Sequence, residues 1–314
     1  MPDTPAETSP QTVFRIGTRG SPLALAQAHM VAGALRAAHG WGEADVAIIV
    51  VTTTGDRVQD RALAEIGGKA LWTKELDRAL LDGKVDCCVH SMKDVETIRP
   101  EPIAIAAMLP RAAVEDRLLG AVSIASLRQG AVVGTSSPRR SAQLRRIRPD
   151  LVPILFRGNV ATRIAKLEQG EADATLLAAA GLDRLGMADT GVTIALDQML
   201  PAPAQGAVGI ECRAEDSRAR AHLAAISHAE TFACVMAERA LLVGLGGSCH
   251  SPVAALARMA DGMIHLDAEI LSEDGTEHVT GAVTLMPGDG VPATALGHDM
   301  LDRAPPAIRM LFHG

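Results

Sequence analysis

The chain has 314 residues, 48% of them apolar and 21% charged, with a formal net charge of −7. That length suits two or three domains with a sizeable core, and the acidic balance disfavours nucleic acid and anionic membranes as partners. The five cysteines (87, 88, 212, 234 and 249) form no CxxC pair and the histidines no HExxH spacing, so neither a metal site nor a disulfide framework is expected and the thiols point to a cytoplasmic setting.

The opening "MPDTPAETSPQT" lacks a basic n-region and an apolar h-region, and reads as a short tail, not a signal peptide. No apolar run approaches the ~20 residues needed to span a bilayer. "VFRI" (13–16) predicts a strand. The helix after it has Ser21 as N-cap, Pro22 at its first position and Gly40 as its stop. "VAIIVVTTT" (46–54) predicts a second strand, "ALWTKELDRALLDG" a helix ending at Gly83, and "VDCCVHSMKDV" (85–95) a strand running into a loop.

The pattern then restarts. Residues 130–150 read as strand, turn and a helix capped by Ser137 and led by Pro138. Residues 151–186 read as strand, Asn159-capped helix, Gly170 stop and a further strand. "GTRGSP" and "GTSSP" are alike, which predicts two similar lobes, each offering a helix N-terminus to a ligand. "LPAPAQGAVGIECR" (200–213) reads as a return segment between them. A long helix begins near Thr231, and "MIHLDAEIL" and "GAVTLM" predict a small sheet-bearing third domain. Alternating strands and helices of this kind make an α/β protein.

The cations are lopsided, 25 Arg to 5 Lys. Arg139 and Arg140 lie in a first helical turn, where the macrodipole favours acids, so an anion is expected between them. Arg145, Arg146 and Arg148 read as a solvated basic face. Arg157 and Arg163 flank the "GNV" helix start and Arg19 sits beside the Ser21 cap, which suggests a ligand with several carboxylates. Phosphate would serve equally, but no GxxxxGK[ST] loop is present. In "HSMKDV", Asp94 would be a rare negative charge in such a cleft, suited to steadying a developing cation or moving a proton.

Four cysteines sit on apolar segments and read as small buried hydrophobes. Cys249, in "GLGGSCHSP" (244–252), has little to pack against and is therefore a nucleophile or an attachment point, with His250 a candidate neighbouring base. Two lobes lined with arginine suit an enzyme or a non-catalytic receptor for a polycarboxylate; only an enzyme needs Cys249.

Eight segments in order, "GTRGSPLALAQA", "GGKALWTKEL", "HSMKDV", "GTSSPRR", "RGNVATRIAKL", "AAAGLDRLG", "PAPAQGAVGIE" and "GGSCHSPV", resemble the porphobilinogen deaminase family. The resemblance implies two lobes of the type II periplasmic-binding kind and a smaller α+β C-terminal domain: 12–110 plus 205–228, 111–204 and 229–314. It implies a monomeric hydroxymethylbilane synthase that joins four porphobilinogen units head to tail and releases ammonia each time. It also implies a dipyrromethane cofactor held by a thioether to Cys249, and Asp94 as the catalytic carboxylate. Arg19, Ser21, Lys69, Lys93, Ser137, Arg139, Arg140, Arg157 and Arg163 match positions that hold the pyrrole acetate and propionate arms. Departures are Ala70, Trp72, Pro138 and Ala204, the last standing where the family has Gly. "RAAVEDRLL" (111–119) departs enough that no role passes to Arg111 or Asp116.

Overall fold

A computed structural model describes residues 13–52, 73–247 and 251–312. Lys69, Ala70, Trp72, Cys249 and His250 lie outside the described residues.

Strand β1 (Phe14–Thr18) buries Phe14, Ile16 and Thr18. The Ser21 hydroxyl then accepts from the Ala24 N–H at 3.3 Å and Pro22 opens α1 (Pro22–His39), as the capping signals require. β2 (Val46–Val50), α2 (Lys74–Leu81), β3 (Cys87–Ser91) and β4 (Ile103–Met108) follow. β2 is shorter than its apolar run suggested and ends at Val50. β1 pairs in parallel with β2 and β3, while Val208–Arg213, from much later in the chain, runs antiparallel between β3 and β4. Phe14, Ile16, Val31, Leu35, Val89 and Ile210 form the core of this lobe, each buried side chain worth roughly 1.5–3 kcal/mol.

The second lobe contains β5 (Asp116–Leu119), β6 (Val132–Gly134), α3 (Pro138–Ile147), β7 (Val152–Ile154), α4 (Val160–Glu168), β8 (Ala174–Ala178), α5 (Ala179–Arg184) and β9 (Val192–Thr193). Its strand order, β7-β6-β8-β5-β9, repeats that of the first lobe, β2-β1-β3-β10-β4, where β10 is Val208–Arg213. In both sheets the fourth position is an antiparallel strand supplied by a segment that crosses between lobes. The likeness of "GTRGSP" and "GTSSP" thus reflects equivalent strand-to-helix turns.

After α6 (Ser217–Ala224), which packs Ala219 and Leu223 into the first core, comes the third unit. It is an antiparallel sheet of β11 (Val253–Ala260), β12 (Met263–Leu271) and β13 (His278–Leu285), covered by α7 (Ala229–Leu245), α8 (Val291–Arg303) and α9 (Pro306–Arg309). The glycines before Cys249 are not all loop residues. Gly244 lies inside α7, where a Cβ would stand 2.1 Å from the Thr294 carbonyl oxygen of α8. Gly246 ends α7 in the left-handed region at φ 59° and donates to the Leu242 and Val243 carbonyls.

A buried carboxylate joins all three units. Glu238 of α7 accepts from Arg111 Nη1 (2.8 Å) and Nη2 (3.0 Å) on one crossover, from the Ala204 N–H on the other, and from the Ala257 N–H (2.7 Å) of β11. The two crossovers also bond each other, Arg111 Nε to the Gln205 carbonyl at 2.9 Å and Gln205 Nε2 to the Val114 carbonyl at 2.7 Å. Arg145 and Arg146 are not a solvated face. Arg145 donates to the Glu273 carbonyl at 2.9 Å and Arg146 pairs with Glu269 at 3.1 Å, so both dock the third unit on α3.

Candidate functional site

A cleft of about 850 Å³ opens between the two lobes, bordered by the start of α1, the turn after β3, the starts of α3 and α4, and the second crossover. Three helix N-termini face it, capped by Ser21, Ser137 and Asn159. Their unpaired N–H groups and dipoles favour anions. The charged residues lining it are Arg19, Lys93, Arg139, Arg140, Arg157, Arg163 and Arg239, with Asp94 the one carboxylate among the described lining residues.

From lobe 1, Arg19 follows β1 directly and Ser21 caps α1. Lys93 and Asp94 owe their position to Met92. The Met92 N–H donates to the Ala207 carbonyl at 3.1 Å, and its side chain packs where Gly209 leaves room: a Cβ there would lie 2.0 Å from the Met92 sulfur. With Met92 turned inward, the single 3-10 turn Met92–Asp94 leaves Lys93 and Asp94 in the cleft wall. Burial and the neighbouring Arg140 pull Lys93 down to about 8.

From lobe 2, Arg163 Nε donates to the Gly158 carbonyl at 3.0 Å and Nη2 to Ser136 Oγ at 2.9 Å, while burial lowers it to about 10. Arg157 Nη1 is buried and has no hydrogen-bond partner among the described residues. Arg139 and Arg140 are buried at the base of the cleft. The anion expected between them is there, and it belongs to the protein. Asp116 Oδ2 accepts from Arg139 Nη2 at 2.7 Å, and its Oδ1 from Arg140 Nη2 at 2.6 Å. Burial opposes ionisation of Asp116, yet the two guanidiniums outweigh it and hold the carboxyl far below the usual range.

The third unit reaches the same place. Arg239 of α7 donates through Nη1 to the Val95 carbonyl (3.3 Å) and through Nη2 to the Thr97 carbonyl (2.9 Å), and Thr97 Oγ1 donates to the Gly247 carbonyl at 2.9 Å. The helix that leads to the Cys249 segment is therefore bonded to the chain immediately after Asp94. Cys87, Cys88, Cys212 and Cys234 are buried, as their apolar surroundings suggested, and burial pushes each of their thiols up.

Comparison with known proteins decides which family builds this cleft. The description "Porphobilinogen deaminase, dipyromethane cofactor binding domain" matches residues 14–221, and "Porphobilinogen deaminase, C-terminal domain" matches residues 232–301. The chain belongs to the porphobilinogen deaminase family.

The porphobilinogen deaminase of Sphingopyxis alaskensis is 60% identical over 310 residues, covering 97% of this chain and 98% of that one. That of Paracoccus denitrificans is 50% identical over 309 residues, covering 97% of each. Two solved structures that match share far less of the sequence. The Bordetella pertussis BvgS VFT2 domain has a TM-score of 0.40 at 15% identity, covering 68% of this chain and 85% of its own. A periplasmic His/Glu/Gln/Arg/opine family-binding protein from Silicibacter pomeroyi has a TM-score of 0.37 at 16% identity, covering 68% and 88%. The porphobilinogen deaminase motifs gave no role to Asp116 and did not include Arg239 or Thr97. Only the family's weakly matched "RAAVEDRLL" carried a trace of Asp116.

Proposed function

We propose that this chain is a hydroxymethylbilane synthase, a transferase of tetrapyrrole biosynthesis that condenses four porphobilinogen molecules head to tail with release of ammonia. The observation that carries the reading is the lining of the cleft, where a single carboxylate among the described residues is set among cations at three helix starts. Such a wall suits a ligand rich in carboxylates with a cationic reacting centre.

The residues fit a dipyrromethane. Its acetate and propionate arms need several donors, and Arg157 Nη1 and Arg139 Nε are buried without partners among the described residues. Arg19, Ser21, Lys93, Ser137, Arg139, Arg140, Arg157 and Arg163 would hold those arms together with Lys69, and Cys249 would carry the thioether. When bound, the dipyrromethane supplies the nucleophilic pyrrole carbon to which each unit is added.

Loss of ammonia from the aminomethyl group of porphobilinogen leaves positive charge on the pyrrole nitrogen. Asp94 offers that N–H a carboxylate acceptor, stabilising the charge as it develops, and can take the proton lost when aromaticity returns. The surrounding cations hold the substrate carboxylates and so orient the ring toward Asp94. On this reading residues 12–110 with 205–228 and residues 111–204 form the two lobes, and 229–314 the anchoring domain. The enzyme works as a cytoplasmic monomer without nucleic-acid or membrane partners.

Intact-protein mass spectrometry of freshly purified protein tests the reading. A mass excess equal to two linked pyrroles is expected, lost in Cys249→Ser, with hydroxymethylbilane formed on incubation with porphobilinogen. An unmodified mass and no bilane would leave a receptor for polycarboxylates. Bilane absent despite a reactive Cys249 would leave a transferase for another substrate.

A further inference from the structure

Asp116 opens β5 at the end of the first crossover, is almost fully buried, and does not line the cleft. It nevertheless bonds two of the cleft arginines, which no other acid among the described residues does. Arg140 reaches it through Nε (3.1 Å) and Nη2 (2.6 Å), and Arg139 through Nη2 (2.7 Å). A fourth donor is Gln205 Nε2 of the second crossover, at 2.8 Å from Oδ1.

The remaining bonds of the two arginines are to rigid protein groups. Arg140 Nη1 donates to the Leu176 carbonyl at 3.0 Å, and Arg139 Nη1 to the Leu200 carbonyl and to Gln143 Oε1. A guanidinium has five N–H donors, so each arginine keeps donors unspent after these contacts. Arg139 Nε is one of them, buried and unpartnered among the described residues. Two cations and one anion leave the triad with a net positive charge, held without side-chain freedom at the starts of two elements.

We propose that Asp116 is a positioning residue for the condensation: it presets Arg139 and Arg140 as one unit facing the substrate carboxylates, and Gln205 ties that unit to the second crossover. Without Asp116 the two guanidiniums repel each other, and substrate binding must first order them. The inference rests on the proposed function, because it assumes that carboxylate arms are what the pair receives.

The test uses the holoenzyme with porphobilinogen, its cofactor mass verified. Asp116→Asn keeps the shape and removes the charge. A KM raised about 10-fold or more, with kcat changed by less than about threefold, is expected of a residue that orders a binding pair. A folded, loaded variant with wild-type KM overturns the proposal, whatever its melting temperature, since a merely structural carboxylate moves stability and not KM. Should Asp116→Asn fail to fold, Gln205→Met decides. It spares both ion pairs and is expected to raise KM about threefold at unchanged kcat; an unchanged KM overturns the assignment. Wild-type protein that makes no bilane overturns the proposed function instead, and with it the ground for this inference.

Discussion

Each lobe buries an ionic cluster, and the two have opposite stoichiometry. In lobe 1, Arg99 meets three carboxylates, Asp77 (2.5 Å), Glu96 (2.6 Å) and Glu211 (2.7 Å), and Glu211 also pairs with His90 at 3.2 Å. In lobe 2, Asp116 meets two arginines, with Arg157 and Arg163 close by on the same wall. The sheets have the same strand order, so the scaffold does not explain the difference. Position does. The acid-rich cluster contributes none of its members to the described lining of the cleft, whereas Arg139 and Arg140 of the base-rich cluster line the cleft and are left with positive charge for a ligand to meet. Buried ion pairs are weak evidence for stability by themselves; the imbalance between the two is the informative quantity.

Four experiments break or sharpen that contrast. Asp94→Ala removes the one acid that faces the cationic wall among the described residues. Turnover is expected to fall by ~10²–10⁴-fold with the melting temperature and cofactor mass unchanged; loss of the fold would make Asp94 a structural carboxylate. Arg99→Leu leaves three acids of the lobe 1 cluster uncompensated and should destabilise by about 3–5 kcal/mol in a denaturant titration. Kinetics of its folded fraction should match the wild type, because that cluster contributes nothing to the described lining of the cleft.

Lys93 supplies the pH dependence. Its charge is present below about 8 and lost above it, so the affinity for an anionic substrate is expected to weaken as pH rises through that value. Lys93→Met should bind more weakly throughout and show no such inflection in a pH profile of KM. The smallest effect concerns the crossover. Ala204 holds φ at 61°, a left-handed conformation that costs a residue with a Cβ roughly 1–2 kcal/mol. Ala204→Gly should therefore raise stability by about 1 kcal/mol by thermal melting, offset in part by the greater freedom of glycine in the unfolded chain.

What could be read from the sequence was what is decided locally. Ser21, Ser137 and Asn159 cap helices because each bonds an N–H three residues ahead, and all three stand where expected. Asp94 was visible through its neighbours in "HSMKDV". The requirement for an anion beside Arg139 and Arg140 was visible too, but not its source, since Asp116 lies 23 residues from Arg139, on strand β5. The role of Gly244 was not legible, because it is a backbone contact with a helix some fifty residues on, which no local pattern encodes. Ala204 was noted as a departure, while the positive φ that explains the family's glycine was not. The antiparallel strand at the fourth position of each sheet escaped notice for the same reason: its partners are distant in the chain.

That strand has a consequence for how the protein comes into being. β10 separates β3 from β4, and it follows the whole of lobe 2. A chain emerging from the ribosome can therefore assemble three parallel strands of lobe 1 but must leave the inner edge of β3 open until the second lobe has been made. During that interval an apolar strand edge is exposed, the kind that recruits neighbouring chains. Lobe 2 has no such delay, because β5 is synthesised before the strands that flank it. Lobe 2 should thus complete its native sheet before lobe 1, although lobe 1 is begun first, so nascent-chain lengths ending before Arg213 should be the ones that depend most on chaperones.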